Sequence, residues 1–354
     1  MQRTPVLAIP TPRNKRVLCE AGPAVVGAME GGREVEITRD LGLDERQSRV
    51  LDMHSVLNFL NVVMHQIEQV GTLVGDDQAV NALIEQVFAV RDGLTDRART
   101  IAQLGRLPEI RARLIGGVAA QRARVPDAQR SLFERHLDTL ESVFDVIEQR
   151  VAELIERADD ANCYRTVSLQ HLRANLQQMF NAVEKNSNGR YRIAFSAAER
   201  SPGDYLMELD LRSRDGRSIR MPAVLEDVMR DLAANARKYT DPGGWVRVSL
   251  AEEDDGLCLQ VEDNGRGIPA DEIEHVVVFG HRASNVGNRG QTGGGFGLTK
   301  AYAVVRTFAG RMWIRSGNGA GTRVRIWLPR PTGAPMSGSP TKRRVAPNAA
   351  PSVA

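Results

Sequence analysis

Apolar residues between positions 44 and 160 recur at intervals of three and four, the spacing of helices that carry one apolar seam. The first seam comprises Val50, Met53, Leu57, Leu60, Met64 and Ile67. A second follows Pro126 and comprises Phe133, Leu137, Leu140, Phe144, Ile147, Val151 and Leu154. Two long heptad helices in one region predict a helical dimerisation bundle over residues 44–160.

The pattern leaves the pairing of these helices open. Two further helices are expected at about 77–105 and 108–122, between the two heptad helices. In one arrangement, the first heptad helix forms a hairpin with the helix at 77–105. In the other, the two heptad helices pair across an inserted element.

The pattern changes after residue 165. A helix at about 168–185 is followed by segments in which apolar and polar residues alternate, which is the period of a strand with one buried face. These segments are YRIAFSA, YLMELDLRS, WVRVSLAEE, LCLQVED, RMWIRSG and TRVRIWLP. Further helices are expected between them, at about 221–239, 270–278 and 297–308. Strands mixed with helices predict an α+β sandwich over residues 161–330.

The two ends of the chain show neither period. Residues 1–43 mix proline, glycine and charge with short apolar stretches; they could form a strand or two, but we assign them no domain and no role. Residues 331–354 are rich in Pro, Ala, Ser and Gly, a composition typical of disorder.

Composition narrows the function classes. The 47 basic and 44 acidic side chains nearly balance, and with only 5% aromatic residues we expect no nucleic-acid partner. No apolar run is long enough for a membrane span, and the N-terminus lacks the apolar core of a signal peptide. The three cysteines lie far apart, which favours reduced thiols over a disulfide framework. We therefore expect a cytoplasmic protein.

Candidate chemistry is concentrated in residues 231–322. In DLAANARKYTDPGG, Asn235 and Lys238 share one helical face, where an amide oxygen could bind Mg²⁺ and an ammonium could meet phosphate. In VEDNGRGIP, Asp263 ends a strand and could accept a hydrogen bond from an exocyclic amine, while Gly265 and Gly267 allow close approach of the backbone.

Two more short segments complete this set. GGGFGLT, residues 293–299, places glycine amides at the start of a helix, where they can cradle phosphate. GAGT, residues 319–322, places Thr322 at the start of a strand. Each segment alone is a weak signal, but their order and context together are specific.

In that order, residues 161–330 resemble the ATP-binding domain of bacterial sensor histidine kinases, a family related to gyrase B, Hsp90 and MutL. The resemblance implies that ATP and Mg²⁺ bind here, with Asn235 at the metal position and Asp263 at the adenine. It implies a mobile lid over residues 276–292. The nucleotide-binding residues that it implies are Asn235, Lys238, Tyr239, Asp263, Gly265, Gly267, Gly293, Gly295, Gly297, Leu298 and Thr322.

The same resemblance bears on MHSVLNFLN, residues 53–61. Histidine kinases carry a phosphoacceptor motif close to His-Glu-Leu-Arg-Asn-Pro-Leu-Asn on a dimerising helix, and this segment is similar to it at His54, Asn58, Leu60 and Asn61. Phe59 replaces the proline, and Ser55 replaces the acid that helps to take the proton of the histidine. The implied function is autophosphorylation of His54 and transfer to a response-regulator aspartate, with Asn58 orienting water for the reverse reaction.

Two other functions remain open at this point. Asp231 lies one helical turn before Asn235, where related ATPases and serine kinases place a general base, so the chain could be an ATPase or a serine kinase. Alternatively, the chain could be a non-catalytic scaffold that binds ATP as a conformational ligand. His54 would then be a polar residue beside the seam.

Overall fold

A computed structural model describes residues 31–76, 78–94, 105–158, 164–185, 187, 189–286 and 294–330. The expectations for residues 1–30 and 331–354 lie outside these ranges. Within these ranges, five helices form the first part of the fold. They are α1 (Glu45–Asp52), α2 (His54–Val74), α3 (Gln78–Gly93), α4 (Leu107–Ala119) and α5 (Arg130–Ala158).

The helix that was expected to run unbroken from Asp44 is interrupted at Met53. Asp44 and Gln47 form a capping box that starts α1, and Met53 ends it with φ −89° and ψ 2°. The second helix then begins at His54. The interruption falls immediately before the candidate histidine and sets the direction in which α2 leaves α1.

Both pairing arrangements left open by the sequence occur together, because α2 packs against α3 and against α5. The buried seam of α2 differs from the predicted one: it keeps Leu60 and Ile67 but otherwise uses Val56, Val63 and Val70. The predicted seam of α5 is buried from Phe133 to Val151. The bundle core is therefore filled by helices of a single chain.

The second part of the fold is built on a mixed seven-stranded sheet of order β1-β8-β9-β7-β6-β4-β3. Strands β3, β4 and β6 run parallel, and the other neighbours are antiparallel. The strands are β1 (Arg33–Glu36), β3 (Ile193–Ala194), β4 (Tyr205–Arg212), β6 (Trp245–Glu252), β7 (Gly256–Asp263), β8 (Arg311–Ser316) and β9 (Thr322–Pro329). A separate pair joins β2 (Tyr164–Ser168) to β5 (Ser218–Pro222).

Three helices pack with this sheet in one apolar core: α6 (Leu169–Lys185), α7 (Leu225–Tyr239) and α8 (Gly297–Thr307). The α+β sandwich expected from the sequence is thereby confirmed. Buried charges join the two parts, since Arg150 of α5 lies 3.4 Å from Asp227 of α7. Arg230 contacts Asp227 as well and extends this network along α7.

Several local expectations are corrected. Residues 270–278 form consecutive turns rather than a helix. Residues 1–43 could form a strand or two, and one strand, β1, lies there at the edge of the sheet. Strands β2 and β5 were not predicted. Cys258 on β7 is disulfide-bonded, contrary to the expectation of reduced thiols. In the part of the chain that the structure describes, no helix is both long and apolar enough to span a membrane.

Candidate functional site

A cavity of about 390 Å³ lies between the α/β sheet domain and the start of α2. This size is within the range of small-molecule sites. Residues from the helical bundle line one side of it, namely His54, Asn58, Asn61 and Val62. The predicted nucleotide-binding residues that line it are Asn235, Lys238, Tyr239, Asp263, Gly267, Gly295, Gly297, Leu298 and Thr322.

Two predicted site residues that the structure describes, Gly265 and Asp231, are not on this lining. Gly265 lies behind it, where a Cβ atom would clash with the carbonyl oxygen of Tyr239. Asp231 lies on α7, one turn before Asn235, and points to α8 rather than to the cavity. Gly293 lies outside the described residues.

Strand pairing brings Asp263 and Thr322 together, because they are direct partners in the β7–β9 register. The Asp263 carboxylate accepts a hydrogen bond from the backbone N–H of Gly265 at 2.9 Å. Thr322 is held from the other side by the hydroxyl of Ser316, at 3.1 Å. Ser316 also accepts a hydrogen bond from Ile268 N–H at 2.8 Å, which fixes the glycine turn against β8.

Asp263 is 5% exposed, and burial raises its pKa to about 7. The backbone hydrogen bonds from Gly265 and Thr322 lower the pKa of Asp263, but their effect is smaller than that of burial. A buried carboxyl group on the wall of a cavity is costly unless a donor meets it. An exocyclic amine of a bound ligand would be such a donor.

Asn235 and Gly297 are in direct contact on the cavity lining. A Cβ atom at Gly297 would lie 2.4 Å from the Asn235 side-chain amide nitrogen, so any larger residue there would force the Asn235 side chain to shift. Lys238, one turn further along α7, places its Nζ atom 5.5 Å from the centroid of the Tyr239 ring. Burial and the nearby Arg282 and Arg237 lower the pKa of Lys238.

The expected lid is described as far as residue 286. Its base is fixed by Glu272, which accepts a hydrogen bond from the backbone N–H of Ser284 at 2.8 Å. Asn285 donates to the carbonyl oxygen of Gly267 at 2.9 Å, so this side of the lid folds back onto the glycine turn. The Phe279 ring contacts the Phe296 ring at an interplanar angle of 38°, with ring centroids 4.6 Å apart.

His54 is 7% exposed and lines this cavity. Its ring meets Phe296 edge to face, with centroids 5.7 Å apart. Its Nε2 atom lies 3.1 Å from the Asn58 amide nitrogen, one turn along α2. Because an amide N–H only donates, this contact leaves Nε2 as the acceptor and the proton on Nδ1. By contrast, His65 is exposed and lies 3.7 Å from Glu68.

The electrostatics of His54 favour a neutral ring. Burial lowers its pKa, and the positive charges of Lys300 and Lys238 lower it further. The negative charge of Asp231 raises the pKa and offsets part of this effect. At neutral pH the imidazole therefore has a free electron pair, which a nucleophile needs.

Asp231 and Lys300 form a nearly buried ion pair of 2.9 Å beside His54. Burial alone would lower the pKa of Lys300, but the charges of Asp231, Asp227 and Asp52 outweigh burial and raise it. No motif singled out Lys300. Phe296 was also missed, although it stands inside a glycine segment that was singled out. Asn61 was named as part of the phosphoacceptor motif but not as a site residue.

Residues 222–332 match the family described as histidine kinase-, DNA gyrase B-, and HSP90-like ATPase. Over these residues the chain is similar to the ATPase domains of this family. The resemblance to sensor histidine kinases is confirmed for this segment by two curated relatives. Sensor histidine kinase WalK of Bacillus subtilis is 34% identical over 107 residues, and adaptive-response sensory kinase SasA of Synechococcus elongatus is 31% identical over 109 residues.

Each match covers 30% of this chain, and the matched segments make up 18% of WalK and 28% of SasA. The chain thus spans less than a third of each relative. Among solved structures, the mycobacterial sensor histidine kinase MprB aligns with 47% of this chain and 97% of that chain, at 20% identity and a TM-score of 0.33. The match to this ATPase family implies that the domain binds ATP.

Proposed function

We propose that this chain is an ATP-dependent histidine kinase that phosphorylates its own His54. The observation that carries the proposal is that His54 lines the same cavity as Asp263, Asn235 and Thr322 of the ATPase domain. An arbitrary polar residue beside a helix seam would have no reason to be buried at a nucleotide site.

The polar groups that line the cavity match the polar groups of ATP. Asp263 offers a buried acceptor for the adenine amine, and Lys238 offers a positive charge on the same cavity lining. Asn235 would bind Mg²⁺, and the phosphates would supply further oxygens, as is usual for this ion. Among the described residues, no group of three or more His, Cys, Asp or Glu side chains is arranged to hold a metal, which fits an ion held mainly by phosphate.

In the proposed step, an electron pair of the neutral His54 imidazole forms a bond to the γ-phosphorus as the bond from that phosphorus to the bridging oxygen breaks. ADP leaves, and the ring proton passes to solvent or a nearby base. Nε2 is held by Asn58 in the described arrangement, so transfer to Nε2 requires Asn58 to release it.

Asp231 replaces the acid that the sequence lacks at position 55. Phosphoryl transfer makes the ring more positive, and Asp231 is the carboxylate whose charge acts on His54. The Lys300 ion pair holds that carboxylate in place. Autophosphorylation of His54 is then compatible with a serine at position 55.

The remaining parts of the proposed function follow from the kinase assignment. The phosphoryl group passes from His54 to an aspartate of a response-regulator receiver domain in the cytoplasm, and Asn58 orients water for dephosphorylation. The chain forms a homodimer through its helical region. These steps are testable with a candidate receiver domain and by measuring the mass of the protein in solution.

The rival enzyme assignment is an ATPase or serine kinase that uses Asp231 as general base. Asp231 faces Lys300 in an ion pair and does not line the cavity, which disfavours direct contact with water at the γ-phosphate. A non-catalytic scaffold would bind ATP without any transfer of phosphate.

The deciding experiment incubates the purified chain with γ-labelled ATP and Mg²⁺ and compares wild type with His54→Gln. His65→Gln is the matched control, because this second histidine of α2 is exposed. We expect label on wild type and His65→Gln and none on His54→Gln. Equal labelling of all three would contradict the proposal, and ATP binding without label would favour the scaffold.

A further inference from the structure

We infer that the phosphoryl group moves in cis, from ATP in the cavity of one chain to His54 of that same chain. The inference rests on the proposed kinase function and specifies its substrate, the chain's own histidine. Three structural features support it.

The first feature is the N-terminal strand, which ties the ATPase domain to the segment before His54. Strand β1 pairs with β8 at the edge of the sheet, from Arg33 opposite Ser316 to Glu36 opposite Trp313. Glu36 accepts hydrogen bonds from both Nε and Nη2 of Arg311, the former at 2.7 Å. The backbone N–H of Ile37 continues the pairing to the carbonyl oxygen of Met312 at 2.9 Å.

The second feature is the route from that strand to His54, which stays on the ATPase domain. The Tyr302 hydroxyl of α8 donates to the carbonyl oxygen of Arg39 at 2.9 Å. Helix α1 then packs against α8, and the charge of Asp52 at its end acts on Lys300 of α8. Two residues later, His54 meets Phe296, which directly precedes α8.

These contacts restrict the movement of His54 relative to the ATPase domain. From Ile37 to His54 the chain is held by the sheet edge, by Tyr302 and by the packing of α1 on α8. When two reacting groups are held in one molecule, they react in an internal step and no encounter between molecules is needed. The effective concentration of one group at the other is then high. A histidine from another chain would have to displace this anchored segment.

The third feature is the helical bundle around α2. Val56, Leu60, Val63, Ile67 and Val70 of α2 are buried by helices of the same chain. Among the described residues, Phe88 is the only large apolar side chain that is exposed. A second copy is therefore not needed to bury the helix that carries His54, and transfer in cis holds whether or not the chain dimerises.

The test combines two inactive variants of the full chain with different affinity tags. His54→Gln keeps the ATP site but lacks the acceptor, and Asp263→Asn keeps the acceptor but lacks the adenine-reading carboxylate. The variants are co-expressed, and labelling is measured in assemblies recovered through both tags and in the equimolar mixture. Transfer in cis predicts no label on the Asp263→Asn chain in either sample. Label on that chain in either sample would overturn the inference.

Wild type is the control that separates this inference from the kinase proposal. If wild type takes no label, the kinase proposal itself fails. If wild type is labelled, its initial rate per chain should stay unchanged on serial dilution, because an internal step is first order. A rate per chain that falls with dilution would contradict transfer in cis.

The anchoring strand can be tested through its ion pair. Arg311→Glu should slow labelling by about tenfold while leaving ATP affinity unchanged, since the effective concentration of His54 at the site falls. The exchanged pair Glu36→Arg with Arg311→Glu should restore the rate. Arg33→Ala, an exposed position on the same strand, is the matched control and should have no effect. Unchanged labelling in Arg311→Glu would show that the strand does not hold His54 in place.

Discussion

His54 lies edge to face with Phe296, with ring centroids 5.7 Å apart, although 242 positions separate them in the chain. This contact joins the helical bundle to the glycine segment at the start of α8. It places the candidate phosphoacceptor beside Asn235 and Gly297, where the phosphates of ATP are expected. A glycine-rich phosphate loop does not itself require an aromatic residue, so the contact with His54 gives Phe296 a separate role.

Phe296→Leu should slow autophosphorylation by about two- to tenfold, the equivalent of one lost aromatic contact. The ATP KM should change little, because Leu still fills the space between Gly295 and Gly297. Initial rates of labelling at several ATP concentrations separate the two parameters. A raised KM with an unchanged kcat would instead place Phe296 in nucleotide binding alone.

Asp263→Asn should stabilise the protein while abolishing ATP binding. The pKa of Asp263 is about 7 in the folded chain against an ordinary value of 3.8, so the folded state binds the extra proton between these values. Protonated Asp263 therefore contributes its full stabilisation of the folded state below pH 3.8. This stabilisation is lost as the pH rises to about 7. The variant removes a penalty on the order of a few kcal/mol at pH 8, at about 1.4 kcal/mol per pKa unit.

Denaturant unfolding at pH 8 and pH 5 measures this effect, and the stability gain should be larger at pH 8. Asp215→Asn is a control for which the expected change in stability is the opposite. Hydrogen bonds from Ser218, Arg217 and Ser213 hold the pKa of the Asp215 carboxyl well below its usual range. That variant should lose stability at pH 8. A loss of stability in Asp263→Asn at pH 8 would show that its carboxylate is already well satisfied without ligand.

Asp231→Asn should both destabilise the chain and slow autophosphorylation. It leaves the buried Lys300 without its 2.9 Å partner, which costs about 3–5 kcal/mol when a buried pair is broken. The double variant Asp231→Asn with Lys300→Met should recover most of that stability, because the buried ammonium is removed together with its 2.9 Å partner. Labelling should remain at least about tenfold slow in the double variant, since the carboxylate that acts on His54 is still absent.

Melting temperature and labelling rate, measured on the same three proteins, test this prediction. If the double variant regained the wild-type rate, Asp231 would matter only for folding. If it lost steady ATP hydrolysis but kept the label on His54, Asp231 would serve the rival ATPase reaction.

Gly297→Ala should weaken ATP binding by at least about tenfold, because the added Cβ would push Asn235 out of the position proposed for Mg²⁺. Gly116→Ala is the matched control. It also lies in a helix, but no heavy atom lies within 4 Å of its Cβ position, so alanine should be neutral or stabilise by up to about 1 kcal/mol. Titration with a fluorescent ATP analogue measures the affinity of both. Unchanged affinity in Gly297→Ala would show that Asn235 can shift without cost.

The sequence predicted the parts of the fold that depend on long periodic segments. The seam of α5 was correct from Phe133 to Val151, because seven apolar residues at helical spacing leave one face for burial. The seam of α2 was displaced, since α2 is apolar on more than one face and packs against both α3 and α5. Its extra contacts, which the spacing does not encode, decided which residues are buried.

The short elements and the distant contacts were not predictable in this way. Strand β1 has four residues and is specified by pairing with β8, far away in the chain. Asp263 and Thr322 were found from their motifs, and the β7–β9 register explains why they meet. Phe296 and Lys300 required the position of α2 on the ATPase domain, which no local pattern contains.

The most direct measurement of the central claim is the location of the phosphate after incubation with ATP and Mg²⁺, by mass spectrometry of the peptide that contains MHSVLNFLN under neutral to alkaline conditions. We predict phosphate on the imidazole of His54, lost after brief exposure to acid and retained in alkali. Acid-stable phosphate on the adjacent Ser55 would contradict a histidine kinase and identify a serine kinase. No phosphate on either residue, with ATP bound, would contradict the claim that His54 is an acceptor.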